Sequence, residues 1–315
     1  MEAGGTYLAK PGLIHICATG AAVLSATVTI AAKAPGKPIS VVDDLGQRIV
    51  LAKPATRLVV IEPSNAEIAL DLGLKKKIVG VDASAFQYAP KPWRGELHGL
   101  HSIGTSYPSV SQEAIVATRP DLVISGTGVA GLKGLARFHI PVLYLDPTSI
   151  QGVYHDVILV GKLTGRLKRA QAEVVKLKSE VHAIHQFVVA RAKTHPSVFF
   201  DLGGLYSAGP RSFINGLIQL AGARNVVDSF SQKAYPKVTA EQVVRANPDI
   251  ILVDPEGTTV AKERALAGFS AIRAVVHHRV YALPQPSYVD QPSPGLVLGL
   301  KEFVRFFHPH LHLPS

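Results

Sequence analysis

Two stretches of the sequence decide the fold: VSQEAIVATRPDLVI (110–124) and, 128 residues later, VTAEQVVRANPDIIL (238–252). Each begins with a valine and a hydroxyl residue that can cap a helix, and the valine can pack against an apolar residue in the first turns of that helix. Each then reaches a proline, through which a helix does not continue. A continuous apolar segment follows, which is typical of a strand covered on both faces of a parallel sheet. The repeat therefore predicts two similar α/β lobes.

Other segments extend this alternation of strands and helices. Apolar, β-rich runs predict further strands at 57–61, 77–81, 141–146, 197–202 and 279–283. Helices are predicted between them at 64–73, 131–139, 212–221 and 292–307. Such alternation is typical of α/β folds with parallel sheets. The sequence thus predicts two Rossmann-like lobes with central parallel sheets, over 40–148 and 195–308, joined by a single long α-helix.

The segment over 149–194 is predicted to form this connection. Its apolar residues recur at steps of three and four, so that one helix face is apolar. Gly161 and Gly165 are predicted to break it into a short helix and a longer one of about 24 residues, roughly 36 Å long. A coiled-coil dimer is the alternative. A stripe of small and medium side chains favours packing along the chain's own lobes, which predicts a monomer.

The composition limits the classes of function. Of the 315 residues, 47% are hydrophobic and 18% are charged, which excludes wholesale disorder. The single cysteine, Cys17, excludes an internal disulfide and a cysteine-based zinc site. The formal net charge is +10, but lysine and arginine are spread along the chain without a nucleic-acid signature, so no nucleic-acid partner is expected. The GxSxG, HExxH and P-loop motifs do not occur in the sequence, and no enzyme activity is expected.

The N-terminal segment has the features of a targeting sequence. Residues 13–32 contain no Asp, Glu, Lys or Arg, and Lys10 precedes them. A positive flank, an apolar run and small residues at its end describe an export signal, with cleavage near Ala31 or Ala32. The run is also long enough to remain as a membrane anchor, and a buried core helix is a further alternative. Residues 1–34 are therefore predicted to be a signal peptide or anchor that places the protein in the periplasm or on the outer face of the cytoplasmic membrane.

One motif favours an enzyme instead. GTGVAG (126–131) matches the glycine pattern of dinucleotide-binding loops, follows a predicted strand and precedes a predicted helix, and Asp146 ends the next strand. A dinucleotide-dependent oxidoreductase that uses Gly126 to Gly131 is therefore a distant alternative. Two features weaken it: the motif follows the third predicted strand rather than the first, and the export signal implies a compartment poor in free dinucleotide.

The C-terminus is rich in histidine. The chain ends FHPHLHLPS (307–315), in which His308, His310 and His312 alternate. Imidazoles can bind transition metals, but no carboxylate or cysteine partner accompanies these three. A solvated tail over 309–315 and no specific metal site are therefore predicted.

The order and spacing of several segments resemble a known family. These segments are PSNAEIALDLGLKKKIVGVDA (63–83), SQEAIVATRPDLVISG (111–126), LTGRLKRAQ (163–171), YSAGPRSFINGLIQLAGARNV (206–226), YPKVTAEQVVRANPDIILVD (235–254) and SPGLVLGLKEF (293–303). Over about residues 40–308 the chain resembles substrate-binding proteins of ABC importers for iron-siderophores, haem and vitamin B12, and agrees best with the vitamin B12-binding branch. The resemblance implies a protein without a cofactor that hands a metal chelate to an ABC permease. Cobalamin or another corrinoid ranks first as cargo, a ferric siderophore second and haem third.

The resemblance also implies a role for Glu113 and Glu241. In the family, one glutamate at the top of each lobe docks onto arginines of the permease. Both glutamates follow a predicted helix cap by two positions, so they occupy equivalent places in the two lobes, and such a pair suits a two-fold symmetric partner. The alternative is that each merely favours the dipole of its own helix.

Cleft residues are carried over in the same way. The family lines its cleft with aromatic rings, and the candidate positions here are Tyr88, Tyr107, Tyr206, Tyr235 and Tyr288, followed by Asp290 as a partner for amide groups. Tyr107 and Tyr235 each lie six residues before a docking glutamate. The alternative for any single tyrosine is a ring on a surface loop.

The sequence departs from the B12 branch in ways that keep other cargoes open. Its single tryptophan is Trp93, where the branch carries several in the cleft. Tyr107 lies where haem-binding relatives carry a ligand to iron. An anionic catecholate siderophore needs converging arginines, for which Arg94, Arg211 and Arg245 are candidates.

Overall fold

The computed structural model describes residues 37–105 and 109–313. The described chain begins with an antiparallel hairpin of β1 (Ile39–Val42) and β2 (Arg48–Leu51). The strands of the N-terminal lobe are β3 (Leu58–Val60), β4 (Ile78–Val81), β5 (Leu122–Ser125) and β6 (Val142–Tyr144). They form a four-stranded parallel sheet in the order β4-β3-β5-β6. The predicted strands of this lobe are therefore confirmed.

Short helices connect these strands. They are α1 (Pro63–Asp71), α2 (Ala83–Tyr88), α3 (Lys91–Arg94) and α4 (Gln112–Ala117), with 3₁₀ turns at Lys75–Lys77, Gly95–Leu97 and Leu132–Phe138. The segment 131–139, predicted as an α-helix, forms the last of these 3₁₀ turns. Left-handed residues at Gly131 and His139 bound it, which keeps the segment short.

Two helices make the connection between the lobes: α5 (Ile150–Leu163) and α6 (Leu167–Arg191), the second 25 residues long. The predicted break at Gly165 is confirmed, since this residue has a φ of 72° between the helices. The break predicted at Gly161 is wrong. Gly161 lies inside α5, where a side chain would collide with Ala170 of α6, so its role is to let the two helices pack closely.

The C-terminal lobe repeats the architecture. Its strands are β7 (Ser197–Gly203), β8 (Tyr206–Ser207), β9 (Arg224–Asn225), β10 (Ile250–Val253) and β11 (Val280–Ala282). β10 pairs in parallel with β7 and β11, while β9 and the antiparallel β8 lie along the other edge of β7. Its helices are α7 (Phe213–Leu220), α8 (Ala240–Ala246), α9 (Val260–Arg264), α10 (Arg273–Val276) and α11 (Leu296–Phe307), with 3₁₀ turns at Val226–Ser229, Phe269–Ala271 and Pro286–Tyr288. Two parallel sheets covered by helices confirm the predicted α/β class.

The internal repeat forms the same helix start in both lobes. The Ser111 hydroxyl accepts a hydrogen bond of 3.1 Å from the backbone N–H of Ala114 at the start of α4. The Thr239 hydroxyl accepts one of 3.3 Å from Gln242 at the start of α8, and the Gln242 side chain accepts in return from the Thr239 backbone N–H. The predicted caps are therefore confirmed, and the second is a complete capping box.

The repeat also anchors each helix end to a neighbouring strand. The Asp121 carboxylate accepts hydrogen bonds of 2.9 Å from the backbone N–H groups of Thr56 and Arg57, directly before β3. In the second lobe Asp249 accepts one of 2.8 Å from the backbone N–H of Ser197, the first residue of β7. An aspartate after the proline of each repeat therefore fixes the start of the adjacent strand, a contact across 65 or 52 residues that the sequence pattern does not reveal.

The two lobes share one large hydrophobic cluster. Successive strand residues face opposite sides of a sheet, so Leu58 of β3 and Phe200 of β7 lie in one large cluster, while Val59 and Phe199 lie in separate smaller clusters. The large cluster includes the apolar stripe of α6, whose residues are Ala170, Val174, Leu177, Val181, Ile184 and Val188. The stripe is thus buried against the chain's own lobes, and the connection resists hinge opening more than flexible loops would.

A buried carboxyl also links the lobes. Glu67 of α1 is fully buried, and its Oε2 accepts hydrogen bonds from the Ser293 hydroxyl (2.6 Å) and the Gly295 backbone N–H (3.3 Å), just before α11. Burial raises the pKa of Glu67 well above its ordinary value and favours its uncharged form. A side chain of the N-terminal lobe thereby accepts hydrogen bonds from residues at the start of a helix in the C-terminal lobe.

Replacing Glu67 with alanine is expected to lower the free energy of unfolding by about 2–3 kcal/mol, because the buried Ser293 hydroxyl loses its acceptor and the missing side chain leaves a cavity. Glu67→Gln keeps an acceptor oxygen at the same distance from the backbone. It is expected to lower the free energy of unfolding by less than half as much as Glu67→Ala. Urea unfolding of both variants measures the difference. Equal stability of the two variants would contradict the stabilising role of this acceptor oxygen.

Candidate functional site

The strand order places a crevice at the carboxyl end of the N-terminal sheet. β3 and β5 are neighbours although β4 separates them in the sequence, so the order reverses between them. Parallel α/β sheets bind ligands at such a switch point, outside the carboxyl ends of the strands. Glu62 follows β3 and Gly126 follows β5, and Glu62 Oε2 accepts a hydrogen bond of 3.0 Å from the Gly126 backbone N–H. The switch point is therefore marked by a carboxyl group.

Glu62 has a backbone conformation that few residues other than glycine adopt. Its φ is 77° and its ψ is 147°, and such a conformation costs on the order of 1–3 kcal/mol in a non-glycine residue. Its backbone N–H donates to Asp82 Oδ1 at 2.9 Å, and Gly126 holds its side chain. The fold thus keeps this carboxyl in the crevice despite the strain of the backbone that carries it.

A small cavity of ≈ 170 Å³ lies at the switch point. Glu62 after β3, Thr127 after β5 and Asp146 after β6 contribute to its lining. Asp156 on α5 and Pro292, which precedes α11, line it as well. Pro292 is the one lining residue from the C-terminal lobe, so the cavity lies mainly in the N-terminal lobe and α5 and borders on the junction of the lobes.

The carboxyl groups of this cavity titrate far from their ordinary range. Asp156 is fully buried, and its carboxyl group shares a hydrogen bond with the Asp44 side chain. Burial, with the carboxylates of Asp44 and Asp146, raises the pKa of Asp156 to about 9. Burial, with Asp82 and Asp146, raises the pKa of Glu62 to about 7. At neutral pH Asp156 is therefore uncharged and Glu62 is partly protonated.

The carboxyl end of the C-terminal sheet is acidic as well. Asp201 lies near the end of β7 and Asp254 follows β10, joined by a backbone hydrogen bond of 2.9 Å. Asp290 has a buried Oδ1 with no partner among the described residues, and burial, with Asp254 and Glu256, raises its pKa to about 7. Burial and the neighbouring Asp201 also raise the pKa of Glu263. Both lobes thus present carboxyl groups at the edge where parallel strands end.

Tyr235 lies between these two acidic edges. Its ring is 47% exposed. Partial burial raises the pKa of its hydroxyl, and so do the charges of Asp146 from the N-terminal lobe and Asp290 from the C-terminal lobe. Its surroundings therefore come from both lobes.

The other predicted ring positions lie in different surroundings. Tyr88 ends α2, after the edge strand β4, and is half-buried. Tyr206 is 50% exposed on β8, where the Lys237 ammonium lies 5.4 Å from its ring centroid. Tyr288 packs against the large core, and burial, with the charges of Glu302 and Glu67, raises the pKa of its hydroxyl. Tyr107 lies outside the described residues.

The two predicted docking glutamates have matching environments. Glu113 and Glu241 are both exposed in the first turn of their helices. Hydrogen bonds from its own backbone and from the capping hydroxyl, Ser111 or Thr239, lower the pKa of each carboxyl.

The positions of the two glutamates also correspond. The segment before α4 pairs with the loop after β5 through a bridge between Ser109 and Ala130, so Glu113 lies at the strand-end edge of its sheet. A bridge between Tyr206 and Lys237 places the approach to α8 at the corresponding edge of the second lobe. Both carboxylates are therefore ionised, exposed and equivalently placed.

The candidate arginines for an anionic siderophore do not converge. Arg94 donates to the Ala89 backbone oxygen beside α3. Arg211 lines a separate groove together with residues of α5, α6 and α7. Arg245 lies in the last turn of α8, at the end away from Glu241. The structure therefore assembles no cluster of these three guanidinium groups.

The glycine-rich loop lacks the features of a dinucleotide site. The amide of Gly126, the first glycine, already donates to the Glu62 carboxyl, which would oppose a pyrophosphate. The segment after the loop is the 3₁₀ turn Leu132–Phe138 and not an α-helix whose N-terminus could hold a phosphate. These contacts do not favour the oxidoreductase alternative.

The C-terminal histidines do not form a group. His308 is buried and its Nε2 lies 3.0 Å from the Ala221 backbone oxygen, whereas His310 and His312 are exposed. Leu313 packs against the core, so the tail is docked rather than fully solvated. Across residues 37–105 and 109–313, no three or more His, Cys, Asp or Glu side chains are arranged to hold a metal ion.

The predicted export segment over 1–34 lies outside the described residues. Among the helices that the structure does describe, none has both the length and the apolar character needed to cross a membrane.

Sequence reasoning missed the carboxyl groups of the crevice. Glu62 and Asp82 directly follow predicted parallel strands and Asp146 ends one, and that position is the signal that identifies them. Asp156 has no such signal, because it lies inside α5 and reaches the cavity only through the packing of that helix.

Comparisons with known proteins agree with this architecture. A family model described as periplasmic binding protein matches residues 58–286. The chain is 29% identical over 282 residues to the ABC transporter substrate-binding lipoprotein YvrC of Bacillus subtilis, covering 86% of each protein. It is 28% identical over 288 residues to a cobalamin-binding protein of Halobacterium salinarum, covering 86% of this chain and 74% of that protein.

A solved structure shares the fold. A possible iron-binding periplasmic solute-binding protein of Staphylococcus epidermidis superposes with a TM-score of 0.69 at 26% identity, over 81% of this chain and 100% of that one. The family match covers most of the chain, including both sheets and the crevice between them. The chain therefore belongs to the periplasmic binding protein family, as a substrate-binding protein of the ABC importers that serve iron-siderophores, haem and vitamin B12.

Proposed function

We propose that the protein binds a corrinoid outside the cytoplasm and delivers it to an ABC permease. The observation that carries this proposal is the crevice at the strand-end edge, which carboxyl groups line, together with Tyr235, which lies close to Asp146 of one lobe and Asp290 of the other. Corrinoids carry a periphery of carboxamide groups, whose N–H donors suit buried carboxyl oxygens such as those of Asp156 and Asp290. The similarity to a cobalamin-binding protein supports the same cargo.

A ferric siderophore and haem are the other cargoes of this importer class. The scattered positions of Arg94, Arg211 and Arg245 speak against an anionic catecholate. The propionates of haem would meet the carboxyl groups of the crevice, where like charges repel. A neutral or cationic hydroxamate siderophore is therefore the second candidate.

The permease-docking role belongs to Glu113 and Glu241. Their exposure, ionisation and equivalent positions in the two lobes support it. They suit arginines on a two-fold symmetric membrane partner, and such rim charges mainly set orientation and association rate. The protein acts as a monomer in this proposal, with the stripe of α6 buried in its own core.

Titration of the purified protein with cyanocobalamin, haem and a ferric hydroxamate tests the cargo. The single tryptophan is buried where α3 meets the start of α11: its Nε1 donates to Asp71 at 2.7 Å, and its ring lies beside Gly295. Trp93 fluorescence therefore reports on the junction of the lobes, and calorimetry gives affinities free of the absorbance of the chelates. We expect sub-micromolar binding of the corrinoid. Binding of haem or the hydroxamate alone would transfer the assignment to that cargo, and binding of none would refute the proposed function.

A further inference from the structure

A groove of ≈ 660 Å³ lies on the C-terminal lobe, away from the crevice. Its wall combines the end of α6 with the segment after it (191–194), Arg279 directly before β11, and the segment 307–311 at the end of α11. Both β7 and β11 run parallel to β10, so the starts of these strands meet at one edge of the sheet. The groove therefore lies at the strand-start edge, whereas the approach to α8 and Glu241 lies at the strand-end edge.

Cationic side chains line this groove. Arg191, Lys193 and Arg279 contribute to its wall, and among the residues that the structure describes no aspartate or glutamate does. The ends of α6 and α11 each carry a partial negative charge of roughly one half, so together they offset about one of the three positive charges. Burial lowers the pKa of His308 in the same wall, and the positive charges of His195 and Arg279 lower it further. The local field in the groove is therefore positive.

The three groove cations form no ion pair with the described chain. Neither of the two ion pairs found over residues 37–105 and 109–313 includes them. Asp249 is close enough to interact with the charge of Arg279. Its carboxylate, however, is already paired with Arg273 at 3.1 Å and accepts a hydrogen bond from the Ser197 backbone N–H. The charge of the groove is therefore not neutralised within the part of the chain that the structure describes.

Other arginines of this protein stabilise the ends of helices. Arg57, Arg169 and Arg273 donate to backbone oxygens at or just after the ends of α4, α1 and α8, at 2.8, 2.6 and 2.9 Å. Arg191 and Arg279 lie beside the ends of α6 and α11, but neither guanidinium group donates to an oxygen of the described residues. Capping of a helix therefore does not account for these two arginines, and their free donors indicate a partner outside the chain.

We propose that this groove binds a phosphodiester chain, a polyanionic polymer of the space outside the cytoplasm. Guanidinium groups match phosphate oxygens through paired hydrogen bonds, and lysine adds a point charge on a flexible stem. The groove is larger than one phosphate group requires, and its concave wall suits a chain better than the flat surface of a membrane. Because the groove and Glu241 lie at opposite edges of the same sheet, a bound chain leaves the docking edge free. The inference goes beyond the proposed function and depends on neither the cargo nor the permease.

Calorimetry at low ionic strength with synthetic poly(glycerol phosphate) tests this inference on the purified protein. The variants are Lys193→Glu, which reverses an exposed charge of the groove, and Arg191→Gln/Lys193→Glu. Lys168→Glu is the matched control, because Lys168 is exposed at the start of α6, about 35 Å from Arg191 along that helix. Inorganic phosphate, poly-glutamate and vesicles of phosphatidylglycerol are the comparison ligands.

We expect the polymer to bind the wild-type protein with micromolar affinity. Lys193→Glu should weaken binding about tenfold and the double variant about a hundredfold, whereas Lys168→Glu should match the wild type. Lys193 is exposed, so the single variant tests the inference even where the double variant fails to fold. No polymer binding by the wild type, no loss in Lys193→Glu, or an equal loss in Lys168→Glu would overturn it, the last because only the net charge would then matter.

The comparison ligands test the chemistry of the partner. Poly-glutamate that binds as tightly as the polymer would overturn the assignment to phosphate, and free phosphate that does so would overturn the assignment to a chain. Binding of the vesicles without binding of the polymer would make the partner a membrane instead. Affinity for cyanocobalamin should be the same in all variants, so failure of the proposed cargo is a separate result.

Discussion

Replacing both Glu113 and Glu241 with alanine is expected to reduce uptake of the cargo by about a hundredfold and to leave cargo affinity unchanged. Both carboxylates are exposed and ionised, and their hydrogen bonds lead only to their own backbone and to the capping hydroxyl. They therefore contribute little to the cleft and are free to meet a partner. Uptake in cells that carry the permease, together with calorimetry on the purified variant, measures the two quantities separately.

The control for this experiment is Glu96→Ala, which removes an exposed carboxylate of the N-terminal lobe away from the strand-end edge. The single variants are expected to give intermediate uptake, because each lobe contributes one contact to a symmetric partner. Raising the ionic strength should weaken uptake by the wild type and have little further effect on the double variant. Wild-type uptake by a correctly folded double variant would refute the docking role.

The second large effect concerns pH. The cargo-free protein is expected to lose stability as the pH rises from about 6.5 to 9, by on the order of 3 kcal/mol. Burial is the main cause of the raised pKa of Glu62 and Asp290, both about 7, and of Asp156, about 9. Each binds its proton more tightly in the folded than in the unfolded protein. Their stabilising contribution is therefore complete below the ordinary carboxyl pKa and is lost as the pH passes through the folded value.

Other groups set the limits of this pH window. Burial lowers the pKa of His308, so this histidine acts in the opposite direction below its ordinary value of 6.5. Ser197 and Arg273 favour the ionised form of Asp249 and lower its pKa. The titration of Asp249 therefore affects stability only in more acidic solution. Between pH 6.5 and 9 the buried carboxyl groups are expected to dominate.

Urea unfolding at pH 6.5 and at pH 9 measures the effect. Glu62→Gln/Asp290→Asn should flatten the dependence, because two of the titrating groups are gone, while Glu96→Gln should leave it unchanged. Stability that is constant or rises over this range in the wild-type protein would contradict the assigned titration.

Much of the fold could be predicted because its signals are local. Each repeat contains, within about 15 residues, a helix cap (Ser111 or Thr239), a proline and a strand. The recurrence of this pattern predicts two equivalent lobes. The same recurrence predicts the equivalence of Glu113 and Glu241. The break at Gly165 was predictable for a similar reason, since a single glycine with positive φ ends a helix.

Two local predictions failed. Gly161 is as good a helix breaker in sequence as Gly165, but the approach of Ala170 on α6 gives it a different role, which depends on another helix. The segment 131–139 became a 3₁₀ turn, which left-handed residues bound at both ends.

The sequence by itself determined the two-lobed α/β class, the helix caps and the equivalent placement of Glu113 and Glu241. Only the tertiary structure decided the chemistry of the crevice. Glu67 meets Ser293 across 226 residues, and Asp156 reaches the cavity from inside a helix. The physical reason is range: capping and periodicity act between residues a few positions apart, whereas the pKa of a carboxyl group depends on burial and on charges that only the folded chain brings near it.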